Sequence, residues 1–193
     1  MNFINLDHIS FNPLLPEVKQ AMIEVINSDF QNPSSQHTPG EEAAGRLENA
    51  REKVAALINA DSPKEIVFTS GGTESINHAI KGIAMANREK GNHVLTTNIE
   101  HNAVIRSLKR LSTQDFTVTS LSVDESGRVN PEDVENAITD NTILVSVMHS
   151  NNETGTIQPI SEIGKITKRK KVLFHTDAVD SVGVVPFDVS ALN

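Results

Sequence analysis

Three features of this 193-residue chain predict an α/β fold, a mainly parallel sheet flanked by helices. From Glu65 onward, apolar runs of strand length alternate with amphipathic stretches of helix length. The clearest run, Ile143-Leu144-Val145-Ser146-Val147-Met148, is apolar almost throughout, as strands covered on both faces are. Finally, Glu65-Ile66-Val67-Phe68-Thr69-Ser70 passes through Gly71-Gly72 into Thr73-Glu74-Ser75, which reads as a buried strand, a glycine turn and a helix start in succession. Glycines there permit positive φ and close backbone approach, and a helix start offers unpaired N–H groups and the positive end of its dipole to an anion.

The first helical pattern runs over 16–28, with Val18, Ala21, Met22 and Val25 on one face, and a polar loop follows over 29–39. A longer helix is expected over 40–60, where Ala43, Leu47, Ala50, Val54 and Leu57 form a stripe. Strands are then expected over 65–70, 93–97, 116–122, 142–148 and 172–176, with helices over 74–89, 102–112, 131–138 and 159–169 between them. In the helix over 74–89, Ile76, Ala79, Ile80, Ile83 and Ala84 recur at helical spacing. No repeat, low-complexity tract or interdomain linker interrupts this order.

Composition sets further bounds. At 37% hydrophobic and 22% charged the chain is an ordinary globular sequence long enough for a sizeable core. A net charge of −8 gives no general attraction to nucleic acid or anionic membrane, so neither is an expected partner. The one basic run, Lys168-Arg169-Lys170-Lys171, is read as the cationic end of a helix complementing its dipole. With no cysteine there is no disulfide, thiolate nucleophile or thiolate metal ligand in these residues. No basic segment precedes a long apolar one and no apolar run reaches membrane-spanning length, so the cytoplasm is the expected compartment.

Ligands of parallel sheets bind beyond the carboxyl ends of the strands. Here those ends carry Ser70-Gly71-Gly72-Thr73, Glu100-His101-Asn102, His149-Ser150-Asn151-Asn152-Glu153 and His175-Thr176-Asp177. An anion seat, an imidazole, a carboxamide and a carboxylate are the groups needed to hold a phosphorylated aromatic heterocycle, and pyridoxal 5'-phosphate has all the matching features. Each residue also has a local role open to it: His101 as a helix cap, Asn152 ordering its own turn, Asp177 closing the last strand. His149 and His175 are read as supporting or core histidines, and His37 is left open. A zinc site drawn from His37, His101, His149, His175 and Asp177 lacks any compact ligand pair on one helix, so no metal is expected.

These strand ends, together with Asn32-Pro33-Ser34-Ser35-Gln36-His37 and Met148-His149-Ser150-Asn151-Asn152-Glu153-Thr154-Gly155, resemble the N-terminal part of NifS-like cysteine desulfurases in the class V aminotransferase group of pyridoxal-phosphate enzymes. The resemblance implies the large domain of a fold-type I pyridoxal-phosphate enzyme, C-terminally incomplete, with residues 1–15 as an arm or small-domain segment and 16–193 as a partial cofactor domain. It implies that Gly72 and Thr73 bind phosphate, His101 stacks on the ring as the catalytic histidine, Asn152 and the position of Asp180 meet the phenolic oxygen, and Asp177 pairs with the pyridinium nitrogen. It implies as reaction the conversion of L-cysteine to L-alanine with sulfur passed to an enzyme persulfide for iron–sulfur or other sulfur-carrier synthesis. A homodimer and a sulfur-acceptor protein are the implied partners.

The same resemblance places the cofactor-anchoring lysine, in a Ser-x-His-Lys motif, and the sulfur-accepting cysteine beyond Asn193, so this chain alone is expected to be inactive. A truncated non-catalytic remnant or interaction module is the alternative, and another class V aminotransferase-type lyase is a third reading. Two positions depart from the family pattern. Asp180 stands where glutamine is common, setting a carboxylate beside a phenolate. Ser10-Phe11-Asn12-Pro13 replaces Ala-Thr-Thr-Pro at the lip of the site. Finally, the family's strand order sets 65–70 beside strands that come after Asn193, so its apolar side chains are expected to be partly exposed.

Overall fold

The computed structural model describes residues 13–28 and 31–192. The chain divides into two compact units, residues 1–66 and 67–193.

In the first unit, α1 (Pro16–Ile26) starts with Pro16 at a position where its missing N–H costs nothing, and Glu17 complements the dipole in the first turn. None of its residues is buried. Helix α2 (Thr38–Ile58) begins two residues before the expected start because His37 caps it, its Nδ1 accepting from the Gly40 N–H at 3.2 Å. It ends on Asn59 in the left-handed conformation (φ 54°). Of its expected stripe only Ala43 is buried, Val54 is half-buried, and Leu47, Ala50 and Leu57 are exposed, while Ala55 beside the stripe is buried. The unit closes with a 3-10 turn, Pro63–Glu65, and an Arg51 guanidinium that donates to the Ile66 carbonyl.

The second unit is a three-layer α/β sandwich. Its strands are β1 (His93–Thr97), β2 (Thr117–Leu121), β3 (Thr142–Ser146) and β4 (Leu173–His175), all parallel in the order β2-β1-β3-β4. Helix α3 (Gly72–Ala86) precedes β1, α4 (Asn102–Ser112), α5 (Pro131–Ala137) and α6 (Ile160–Lys170) lie between successive strands, and α7 (Val189–Leu192) follows. Alternation of side chains along the central strands feeds both faces. Val94 and Leu144 pack with Ile76 and Ile80 of α3 and Val104, Leu108 and Leu111 of α4. Leu95, Val145 and Val147 pack with Val134 of α5 and Ile163 of α6. The basic run closes α6 as expected, with Arg169 paired to Glu135 at 2.8 Å and Lys171 left-handed.

One expected strand is absent. Residues 65–70 form no ladder: Glu65 ends the 3-10 turn, and Ile66 has β-region dihedrals without a strand partner. Ile66 is buried, but Val67 is 63% and Phe68 46% exposed. β-propensity supplies the extended conformation, and a strand exists only where a neighbour takes up its N–H and C=O groups. Among the described residues no strand pairs with this stretch. The other strands and helices lie within about two or three residues of their expected bounds.

Candidate cofactor site

At the carboxyl ends of the parallel strands, a cavity of about 170 Å³ is lined by Gly72, Thr73, Ile76, His101, Asp177, Val179 and Asp180. Five of the six residues singled out for cofactor binding therefore share one space. Asn152 does not line it.

The floor is the start of α3. Gly71, at φ 154°, takes a conformation that L side chains rarely adopt, and no side chain caps the helix. A Cβ on Gly72 would meet Val179 Cγ2 at 2.8 Å, so a side chain there would require Val179 to shift. The turn is fixed from the side: Thr69 Oγ1 lies 2.7 Å from Ser75 Oγ, and the Ser70 N–H donates to Glu74 at 2.6 Å. Hydrogen bonding from the Ser70 side chain, and after it from the Ser70 N–H, draws the exposed Glu74 carboxyl below its ordinary range.

His101 caps α4 as well as lining the cavity, its Nδ1 accepting from the Ala103 N–H at 3.1 Å. That nitrogen is thereby an acceptor, and the proton of the neutral ring resides on Nε2. Asp177 is buried, and its Oδ1 accepts from the Val179 N–H at 3.1 Å, which leaves Oδ2 for a ligand. Asp180 is exposed at the rim.

The turn after β3 is organised by Asn151, not by Asn152. Asn151 Oδ1 accepts from the N–H groups of Glu153 and Thr154 and from the Thr154 hydroxyl, and its Nδ2 donates to the Ile99 carbonyl at 3.0 Å. The doublet Asn151-Asn152 held that signal, but its two members are indistinguishable by type. His149 Nδ1 lies 2.8 Å from Ser181 Oγ and His175 Nδ1 2.9 Å from Ser146 Oγ, and burial lowers the pKa of both. His37 caps α2 in the other unit. Among the described residues no three His, Asp or Glu side chains are grouped to hold a metal ion. Ser10-Phe11-Asn12 and most of the expected 1–15 arm lie outside the described residues. Two residues went unsingled in the sequence: Val179, which abuts the glycine turn, and Glu100, whose carboxyl is buried between strand ends.

Two larger concavities carry different chemistry. One of about 450 Å³ lies at the opposite, amino ends of the strands among Lys90, Thr142 and Lys171, and one of about 460 Å³ lies beside the turn at Asp124. Size favours these two. The strand-end rule and the convergent polar groups favour the smaller cavity.

The aminotransferase class-V family matches residues 4–193. Cysteine desulfurase IscS of Methanosarcina thermophila is 49% identical over 190 residues, which cover 98% of this chain and 47% of that protein. The putative cysteine desulfurase IscS 1 of Bacillus subtilis (strain 168) is 47% identical over 189 residues, 98% of this chain and 50% of its own. Among solved structures, a NifS-like protein superposes with a TM-score of 0.93 at 40% identity, covering 97% of this chain and 52% of the other. A structure described as SspA in complex with cysteine gives 0.89 at 39% identity, covering 94% and 52%. The chain thus spans about half the length of the curated relatives it matches.

Proposed function

The chain belongs to the class-V aminotransferase family, whose members use pyridoxal phosphate, and on that premise we propose that its strand-end cavity is the cofactor cradle of a cysteine desulfurase. The observation that carries this reading is the convergence of Gly72, Thr73, His101, Asp177 and Asp180 on one space. The residues fit the group chemically: uncapped N–H donors for a phosphate, an imidazole for a ring face, and a buried carboxylate for a ring nitrogen.

In this reading the first N–H groups of α3, at Gly72 and Thr73, receive the phosphate. His101, its plane fixed by the bond to Ala103, lies against the ring and holds its own proton at Nε2. Asp177 accepts the ring N–H at Oδ2 while Oδ1 stays on the Val179 N–H, so the ring nitrogen remains protonated. Asn152 and Asp180 are assigned to the phenolic oxygen; Asp180 at the rim retains the charge conflict already noted. When bound, the cofactor supplies the electron sink that stabilises negative charge at the substrate α-carbon. The SspA structure, described as a complex with cysteine, supports an amino-acid thiol as substrate. L-cysteine giving L-alanine, a persulfide on an enzyme thiol, a homodimer and a sulfur-acceptor protein complete the proposal. Residues 1–15 are assigned to an arm and 16–193 to the cofactor domain.

A non-catalytic module is favoured by one observation. No lysine lines the cavity and the 193 residues contain no cysteine. For that reason we expect neither sulfide nor alanine from the 193-residue chain alone.

Binding decides between cradle and bystander. Pyridoxal phosphate added to the chain should shift the cofactor's absorbance saturably, and Asp177→Ala and His101→Ala should each weaken binding at least tenfold, roughly the loss of one charge-assisted bond or one stacked ring. Unchanged affinity in both variants would place the cofactor elsewhere. Borohydride should trap no stoichiometric adduct on any one lysine, and such an adduct would identify an anchoring lysine within these residues.

A further inference from the structure

Glu100 sits at the end of β1, 5% exposed, one residue before His101. Its Oε1 accepts from the Thr97 hydroxyl at 2.7 Å and from the Met148 N–H at 3.0 Å, tying the end of β1 to the end of β3. Its Oε2 is buried with no hydrogen-bond partner. A carboxylate in that position would leave a charged oxygen without a donor, the costliest arrangement a buried polar group can take. Placing the proton on Oε2 removes that charge and keeps Oε1 as the acceptor of both bonds.

We propose that Glu100 is a positioning residue of the cofactor site: its buried carboxyl joins the ends of β1 and β3 and, by staying uncharged, leaves Asp177 without a second buried anion beside it. This rests on the reading of the cavity as a cofactor cradle. Burial pushes the Glu100 carboxyl up to about 7, the bonds from Thr97 and Met148 oppose the rise, and the Asp177 charge adds to it. Asp177, from the segment after β4, is therefore the charged group that Glu100 senses. His101 on its own segment, His149 and Glu153 after β3, His175 on β4 and Asp180 after it are the other titratable groups at these strand ends. Thr97 and Met148 are themselves buried, so the clasp is rigid, and His101 follows directly from it into α4.

Two measurements test this, the first without cofactor. Carbon-13 NMR of the Glu100 carboxyl in the 193-residue chain should titrate with a midpoint near 7, the Met148 amide should follow it, and that amide response should vanish in Glu100→Gln. A carboxyl titrating near the ordinary 4.5, or a Met148 response that survives in Glu100→Gln, overturns the proposal. The second compares affinity for pyridoxal phosphate, a net anion, in the two proteins. The ratio should be close to one at pH 6 and shift against the unsubstituted chain by about tenfold at pH 8.5, where its Glu100 is ionised. A constant ratio overturns the positioning role. A chain that binds no pyridoxal phosphate at all sinks the functional reading instead, and the carboxyl titration still stands as a separate result.

Discussion

Two strand-to-helix junctions of this molecule begin from similar sequences and end differently. Ile66-Val67-Phe68 leads through Gly71-Gly72 into α3, and Val94-Leu95 leads through Glu100-His101 into α4. The second strand is paired on both sides and wholly buried, and its helix is capped by a side chain. The first stretch pairs with no strand among the described residues, is largely exposed at Val67 and Phe68, and leads into a helix with no side-chain cap. The contrast separates two jobs. The closed junction spends its polar groups on the protein itself, through Thr97, Glu100 and Met148, whereas the glycine junction leaves N–H groups for a ligand.

The largest expected effect breaks the closed side. Leu95→Ala should cost about 3 kcal/mol by emptying a fully buried position, while Val67→Ala should stay within about 0.5 kcal/mol. Denaturant unfolding of the two variants measures both, and similar losses would mean that 66–68 is packed as a strand after all.

Glu100 gives a comparable effect that depends on pH. In the unfolded chain its carboxyl titrates near its ordinary 4.5, and in the fold near 7. The raised value stabilises the fold fully below 4.5, and that contribution is lost as pH rises to 7. The loss amounts to about 3 kcal/mol for a shift of this size. Buried His93 and His149 and half-buried His175, whose pKa values are lowered, act with the opposite sign, contributing stability above the unfolded histidine range that is lost as pH falls. The difference between the unsubstituted chain and Glu100→Gln isolates the carboxyl, and it should grow in favour of Glu100→Gln from pH 5 to pH 8. A pH-independent difference would show Glu100 charged throughout.

A smaller effect belongs to the caps. His101→Ala removes the side-chain acceptor at the start of α4 and should cost about 1 kcal/mol, whereas the α3 start has no such side chain to lose. Gly72→Ala acts on the other junction by pressing a Cβ against Val179, and should lower phosphate affinity more than stability. Equal stability losses for these two substitutions would erase the distinction between a capped and an open helix start.

The sequence disclosed these junctions unevenly, for physical reasons. The central strand 142–146 is legible because burial on both faces demands an apolar run, here Ile143-Leu144-Val145. The stretch 65–70 has the same composition and is not a strand, because pairing is a property of neighbours that no local pattern encodes. Gly72, Thr73, His101 and Asp177 were legible as a group because strand ends in a parallel sheet converge, whereas Asp180 was reached only through the family resemblance. Asn152 was not separable from Asn151, whose amide orders the turn, and only geometry reveals which of the two is spent. Glu100 was passed over because a glutamate before a helix ordinarily reads as solvated, and its burial follows from Met148, 48 residues away.

The most direct test of the central claim is a map of backbone amide shifts in the 193-residue chain as pyridoxal phosphate is added. The cradle predicts saturable shifts at Gly72, Thr73, His101 and Asp177, with little change at Val67 or along β1. Shifts confined to Lys90, Thr142 and Lys171, around the larger concavity at the opposite end of the sheet, would contradict it.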